Sequence, residues 1–356
     1  MDSTLSPLPV VSICIITYRH AQFIRQCVES ALAQKTDFPY EILVGEDESD
    51  DGTREICQEL AAAHPDRIRL VLNRRVDVVY VDGRPRGTHN LVATVAVARG
   101  EFVALCEGDD YWTDPQKLAV QVAYLRRNAD CVGCFHEASL VDHQGHEIQA
   151  EYFKPQVGAT QEKYDRRDCI GHLLSKYATC SLLFRREAFR DPPAWYLRRS
   201  SDFFFDLVIT AYGTLGFIDR RMAAYRRHSG GVWCGQPRVM QFLELITRFR
   251  LLLSEPTFFP AYREELMAQL TAFERAMALY DDVEAVQREL TAVRQNLAEE
   301  RNRNQQLTQD RDQLASAARQ LLTERDKLVK FVEKQQATIQ SREKSPASRF
   351  AAPRKN

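Results

Sequence analysis

Residues 104–112 read ALCEGDDYW, so three carboxylates, Glu107, Asp109 and Asp110, follow directly on an apolar run. Adjacent carboxylates repel and disfavour one another's ionisation, so crowding of this kind asks for a compensating group. A solvated turn after a strand would use Gly and Asp for their turn geometry alone. A calcium loop needs ligands spread over about twelve residues, and that spacing is absent. A magnesium- or manganese-type ion takes one or two protein carboxylates and leaves its other positions to phosphate oxygens and water. Neighbouring aspartates at a strand end suit such an ion neutralising a diphosphate. Taken alone, GDD leaves the turn and the metal site both open.

The surrounding elements narrow the choice. VVSICIITY (10–18), YEILVGED (40–47), RIRLVLN (67–73) and EFVALC (101–106) are short, strongly apolar runs, the pattern of strands buried on both faces. Between them AQFIRQCVESALAQ, DDGTREICQELAAAH and NLVATVAVARG carry apolar residues at helical spacing, the second opening with capping residues. This alternation predicts an α/β layer fold with a mainly parallel sheet, in which ligands sit at the carboxyl ends of the strands. Tyr18, Asp47, Asp109 and Asp110 all fall at such ends. Further on, CVGCFHEASLV and TCSLLFRR read as strands, SDFFFDLVITAYG as a helix, GFIDR as a short strand and AYRRHSGGVW as a basic loop.

Composition bounds the rest. A net charge of −1 across 356 residues offers no basic field for nucleic acid. Nine scattered cysteines point to thiols in a reducing compartment. Cys131 and Cys134 form a lone CxxC with His136, His143 and His146 downstream; without a second CxxC, a buried strand followed by a DHQGH turn is favoured over zinc. MDSTLSPLPVV has an acid and prolines where a signal peptide would be basic and then apolar, and no apolar run approaches the ~20 residues of a spanning helix. A soluble, cytoplasmic protein is expected, with peripheral contact at the inner face of a membrane left open.

Near residue 280 glycine and aromatics almost vanish and Gln, Arg, Glu and Leu take over. A heptad written from Val283 places Leu290 and Leu297 at a and Leu307, Leu314, Leu321 and Leu328 at d, with polar Asn304, Arg311, Arg325 and Glu300 interrupting. This predicts a homo-oligomeric coiled coil, the alternative being a charged helix that folds only on a different partner. The domain expectation is 1–235 catalytic, 236–280 a helical extension, 281–342 coiled coil and 343–356 a disordered basic tail.

Over about residues 8–235 the ordered motifs resemble the family 2 glycosyltransferases, inverting enzymes of the GT-A fold. VSICIITYRHAQFIRQCVESALAQ is similar to that family's opening strand and helix, EILVGEDESDDGT to its second strand and acidic turn, and ARGEFVALCEGDDYWTDPQKL to its DxD region. On that resemblance Tyr18 packs near the nucleotide base, Asp47 accepts the uracil or thymine imide N–H, Asp109 faces the ribose and Asp110 holds the metal. SSDFFFDLVITAYGTLGFIDRRMAAYRRHSGGVW resembles the acceptor-side helix and closing loop, which puts Asp202 at the general base and His228 on the metal-diphosphate. Arg86 and Asn90 fall where the family contacts the nucleotide. Glu46, Arg19-His20 and Glu107 depart from the usual residues, and these departures bear on base and sugar preference. Bland readings stand beside these: Asp202 as an N-cap that Ser201 could equally supply, His228 as a solvated imidazole, Trp112 and Trp233 as core rather than a sugar floor.

The resemblance implies a Mn²⁺- or Mg²⁺-dependent transferase moving a sugar from a UDP or dTDP donor to a glycan or lipid-linked glycan acceptor in bacterial surface polysaccharide assembly. The alternative is a catalytically inactive scaffold organised by its coiled coil. A nucleotidyltransferase would want a glycine-rich, basic phosphate loop after the first strand, and ITYRHAQF lacks one.

Overall fold

The structure, a computed structural model, describes residues 8–78, 80–81, 84–85, 87–158, 160–170, 177–199, 204–230, 238–254 and 260–279, with isolated positions between 295 and 316. Strands β1 (Val11–Thr17), β2 (Tyr40–Glu46) and β3 (Ile68–Leu72) alternate with helices α1 (Ile24–Leu32) and α2 (Thr53–Ala63). A small hairpin, β4 (Tyr80–Val81) and β5 (Arg84–Pro85), precedes α3 (Thr88–Ala96), β6 (Phe102–Glu107), β7 (Tyr111–Trp112) and α4 (Lys117–Arg127). Then come β8 (Cys131–Val141), β9 (Glu147–Gln149), α5 (Lys154–Val157), β10 (Lys163–Tyr164), α6 (Arg166–Asp168) and β11 (Leu183–Arg185). The globular part ends with α7 (Ala194–Arg199), α8 (Phe205–Ile209), β12 (Thr214–Arg226), α9 (Arg238–Leu253) and α10 (Arg263–Leu279).

The main sheet runs β10-β12-β8-β11-β6-β1-β2-β3, with β7 on β12 and β9 on β8. β6, β1, β2 and β3 are mutually parallel, because each returns through a helix that crosses one face. The expectation of a mainly parallel sheet is corrected beyond β6. β11 runs antiparallel to both β6 and β8, and β7 and β10 run antiparallel to β12. The long strands β8 and β12 still run parallel to each other, and the reversals fall on strands of two or three residues. A three-residue strand entering from a 3₁₀ turn at Thr179–Ser181 is free to pair in reverse. GFIDR lies inside a longer strand, β12, which runs from Thr214 to Arg226.

Both faces of β1 are covered, as its unbroken apolar sequence requires. Val11, Ile13 and Ile15 pack with Ile24 and Val28 of α1 and Leu118 and Val122 of α4. Cys14 lies on the other face, in a second core with Leu91 and Val95 of α3. Each such Ile or Leu contributes roughly 2 kcal/mol by leaving water. The second core extends to Phe249 and Leu252 of α9 and Leu266 and Leu270 of α10. Residues 1–280 are one compact unit. Cys131, Cys134 and His136 are buried residues of β8, and Asp142 organises the following turn by accepting the Gln144 and His146 amides.

Residues 281–356 make up a second unit. Its described positions, among them Gln295, Glu299 and Arg303, are helical and exposed. Most of the heptad seam, including Leu290, Leu297 and Leu321, lies outside the described residues.

Candidate active site

A cavity of about 840 Å³ opens at the carboxyl ends of β1, β2 and β6, between α3, α8, α9 and the end of β12. Tyr18, Asp47, Asn90, Asp109 and His228 line it; Asp110 and Trp112 are not among its lining residues.

At one end Asp47 is 3% exposed. Its Oδ2 accepts Arg75 Nη1 at 2.6 Å, and its buried Oδ1 has no hydrogen-bond partner among the described residues. Burial raises the Asp47 carboxyl above its ordinary value despite the nearby guanidinium. Arg75 also lies 4.0 Å over the Tyr18 ring, so one cation joins the two side chains expected at the base. Asn90 is buried, and its amide serves the fold: Nδ2 donates to Gly45 O at 2.8 Å, while Oδ1 accepts Asn73 Nδ2 and the Thr94 hydroxyl. A Cβ on Gly45 would lie 2.0 Å from Asn90 Oδ1, so that close approach requires the glycine. Glu46, where an aspartate is usual, pairs with Arg54 and accepts the Ser49 amide at 2.7 Å, which shapes the acidic turn. Arg86 lies outside the described residues.

At the other end Asp109 Oδ2 meets two imidazoles. His228 Nε2 is 2.9 Å away and His20 Nε2 is 3.7 Å away. Burial pushes the Asp109 carboxyl up, but His20 and His228 together hold it below its ordinary value. Burial lowers His20. Asp110 is 1% exposed; its Oδ1 accepts the Arg226 amide at 2.8 Å, and Oδ2 has no described partner apart from the neighbouring Cys180 thiol. Burial and then Asp109 push Asp110 well above the usual carboxylate range.

Arg226 ties this end together. Its guanidinium donates to Asp109 O at 2.8 Å, His143 O at 2.9 Å and Gln26 Oε1 at 2.7 Å. Trp112 is core: its indole donates to Cys180 O, and Lys117 Nζ lies 4.1 Å over its ring. That buried lysine, bonded to Gln121, is pushed down to about 8 by desolvation.

Glu107, Tyr177 and Asp206 also line the cavity. The Tyr177 hydroxyl donates to Asp206 Oδ1, and burial raises the Asp206 carboxyl to about 7. Asp202 and Trp233 fall outside the described residues. Sequence reasoning gave no role to Arg75, Tyr177, Asp206 or Arg226 and noted His20 only as a departure from the usual residue. His20, Asp206 and Arg226 sat inside quoted motifs; Arg75 and Tyr177 carry no local signal, since only long-range packing brings them here.

The chain matches the family described as Glycosyl transferase family 2 over residues 12–192. An uncharacterized protein of Mycobacterium tuberculosis is 34% identical over 228 residues, 63% of this chain and 60% of that protein. An uncharacterized glycosyltransferase of Nostoc sp. is 26% identical over 225 residues, 61% of this chain and 65% of that one. Chondroitin synthase of Escherichia coli is 29% identical over 154 residues, 43% of this chain and 21% of that protein. The chain thus spans about 60% of the length of the mycobacterial relative. Staphylococcus aureus TarS in complex with UDP-GlcNAc has a TM-score of 0.51 at 18% identity, over 75% of this chain and 72% of that one, a likeness of fold. Among the described residues no helix is long and apolar enough to cross a membrane. Residues 12–192 are just over half of the 356, and on that match the chain belongs to glycosyl transferase family 2.

Proposed function

We propose that the protein is a metal-dependent, inverting glycosyltransferase that moves a sugar from a UDP or dTDP donor to an acceptor hydroxyl of a growing polysaccharide. The observation that carries this is one cavity with a buried Asp47 oxygen that has no partner among the described residues at one end and Asp109 with two imidazoles at the other. Asp47 Oδ1 is an acceptor awaiting an N–H, which the imide edge of uracil or thymine supplies. Tyr18 offers the base a ring face, with Arg75 moving between them or aside.

The carboxylate and imidazole donors at the far end are of the kinds a divalent ion takes, although among the described residues no group of three is placed to hold one. For the ion we depart from the expected division, Asp109 on ribose and Asp110 on metal. Asp110 is turned onto the Arg226 amide away from the cavity, so we assign the ion to Asp109 and His228. When bound, the ion supplies positive charge against the departing diphosphate. Asp110 and Arg226 then hold the EGDD turn in place rather than touch the donor.

The acceptor hydroxyl needs a base on the face opposite the leaving group. Asp202 is proposed for this on the family resemblance. Asp206 is a second reading, favoured by its place on the cavity wall and its carboxyl near 7, where a base at neutral pH is well matched. The heptads after Val283 are proposed to join copies of the chain as a coiled coil, tested by light scattering on the full chain against one ending at Tyr280. Monomers in both samples exclude it.

The deciding experiment is a panel of nucleotide sugars assayed for binding and hydrolysis with and without Mn²⁺. Mn²⁺-dependent binding of a UDP- or dTDP-sugar is expected. No binding across the panel, with the protein folded, leaves the inactive scaffold as the function.

A further inference from the structure

The loop after β1 holds His20 more firmly than a chance surface histidine requires. Arg19 has φ 56, the left-handed region that side chains other than Asn and Asp rarely adopt. Its guanidinium forks onto Asp50 at 2.7 and 2.6 Å. Three successive amides are then fixed: Arg19 N on Ser49 Oγ, His20 N on Thr53 Oγ1 and Ala21 N on Asp51 Oδ2. Backbone strain maintained by so many partners belongs to positions where a side chain must point one way.

That direction is toward Asp109. His20 Nδ1 lies 3.3 Å from Thr17 Oγ1, which can accept its proton and leave the Nε2 lone pair facing Asp109 Oδ2 at 3.7 Å. His228 Nε2 reaches the same oxygen at 2.9 Å, and the two rings stand edge to face, 6.3 Å between centroids. Gly108 makes room: a Cβ there would sit 2.4 Å from Thr17 Oγ1 and 2.9 Å from His20 Nδ1.

We propose that His20 is a ligand of the divalent ion. With Asp109 and His228 it completes a set of two imidazoles and one carboxylate that selects Mn²⁺ and later transition-metal ions over Mg²⁺. This rests on the metal-dependent reading above. Adjacent ligands of an ion bound at roughly 2.1 Å lie about 3 Å apart, so the 2.9 Å pair already has ligand spacing. The three groups do not yet close on one point among the described residues, and His20 at 3.7 Å must come in by less than about 1 Å. The partner on the other ring nitrogen, here Thr17, is what a ligating histidine uses to fix its tautomer. Imidazole nitrogen is a donor that first-row transition ions accept readily and Mg²⁺, an oxygen-seeking ion, does not.

The test is Mn²⁺ binding to the full chain with UDP present, read by the free-Mn²⁺ EPR signal, with ¹⁴N spin-echo modulation counting bound imidazoles and Mg²⁺ competition giving the preference. Wild type is expected to show two imidazoles. His20→Ala is expected to show one, with Mn²⁺ affinity at least about tenfold weaker and Mg²⁺ affinity nearly unchanged. If His20→Ala does not fold, His20→Gln takes the same measurements. Two imidazoles and unchanged affinity in the folded variant overturn the proposal, leaving His20 as an ion-pair partner of Asp109. Failure of the wild type to bind Mn²⁺ even with UDP overturns the metal-dependent reading itself, and this proposal with it.

Discussion

The two ends of the parallel strands carry the same kind of pair, a buried acid with an arginine, and treat it in opposite ways. At the amino end Glu41 is 6% exposed, and at the carboxyl end Asp47 is 3% exposed, so burial does not separate them. Glu41 is saturated. Oε1 accepts the Ser12 hydroxyl at 2.7 Å and the Arg99 amide at 2.9 Å, and Oε2 takes the Arg99 fork at 2.7 and 3.0 Å. Burial would raise its carboxyl, but those Arg99 and Ser12 bonds bring it below its ordinary value. Asp47 has one arginine contact and an oxygen with no described partner, and its carboxyl is raised. A satisfied acid is part of the scaffold. An acid left short of donors costs stability, which a fold keeps where a ligand will supply the missing bond.

The contrast can be broken at several points. The largest effect is expected from Asp109→Asn, which removes charge where the ion is proposed to sit: Mn²⁺-dependent transfer should fall about a thousandfold with the melting temperature little changed. Transfer near wild-type level would remove Asp109 from the mechanism.

Next is Glu41→Gln, which breaks a buried, charge-assisted network and should cost about 2 kcal/mol in urea unfolding at pH 7, with UDP affinity untouched. Because the folded carboxyl is depressed, its stabilisation is present above the unfolded value near 4.3 and is lost as pH falls through the folded value. Wild type and variant should therefore converge in acid.

Asp206→Asn should show the opposite slope. The folded carboxyl is raised to about 7, so the unfolded state ionises first and stability is lost as pH climbs from about 4 to 7. The amide escapes that loss, and the variant should gain on the order of 4 kcal/mol over this window while matching wild type at pH 4. Parallel stability curves for the two proteins would refute the raised carboxyl.

The smallest effect is Asp47→Ala, expected to weaken UDP binding about tenfold by calorimetry while leaving stability equal or slightly improved, since an under-satisfied buried acid is removed. A stability loss matching that of Glu41→Gln would erase the distinction between the two ends.

Much of this was legible in the chain. The runs at β1, β2, β3 and β6 are apolar at nearly every position because both faces are covered, and that pattern identifies buried parallel strands without any tertiary information. Asp47 and Asp109 could be placed at strand ends simply by counting to where each run stops. The direction of β11 was not legible: three residues, Leu183–Arg185, carry too little pattern to fix a partner, and the sheet proved mixed. Nor was it legible that Asp109 lines the cavity while Asp110 does not, since the two are adjacent and chemically alike.

What the sequence determined by itself is therefore what local periodicity and side-chain type encode: the alternating elements, the double-covered core, the acids at the strand ends and the family motifs. What only the tertiary structure decided are contacts between residues far apart in the chain. Arg226 reaches Asp110 across 116 positions, His228 reaches Asp109 across 119, and Arg75 reaches Asp47 across 28. Whether a buried carboxylate ends satisfied or short of a partner depends on which distant donor the packing delivers to it. No spacing along the chain records that, because hydrogen bonds act over about 3 Å in space regardless of separation in sequence.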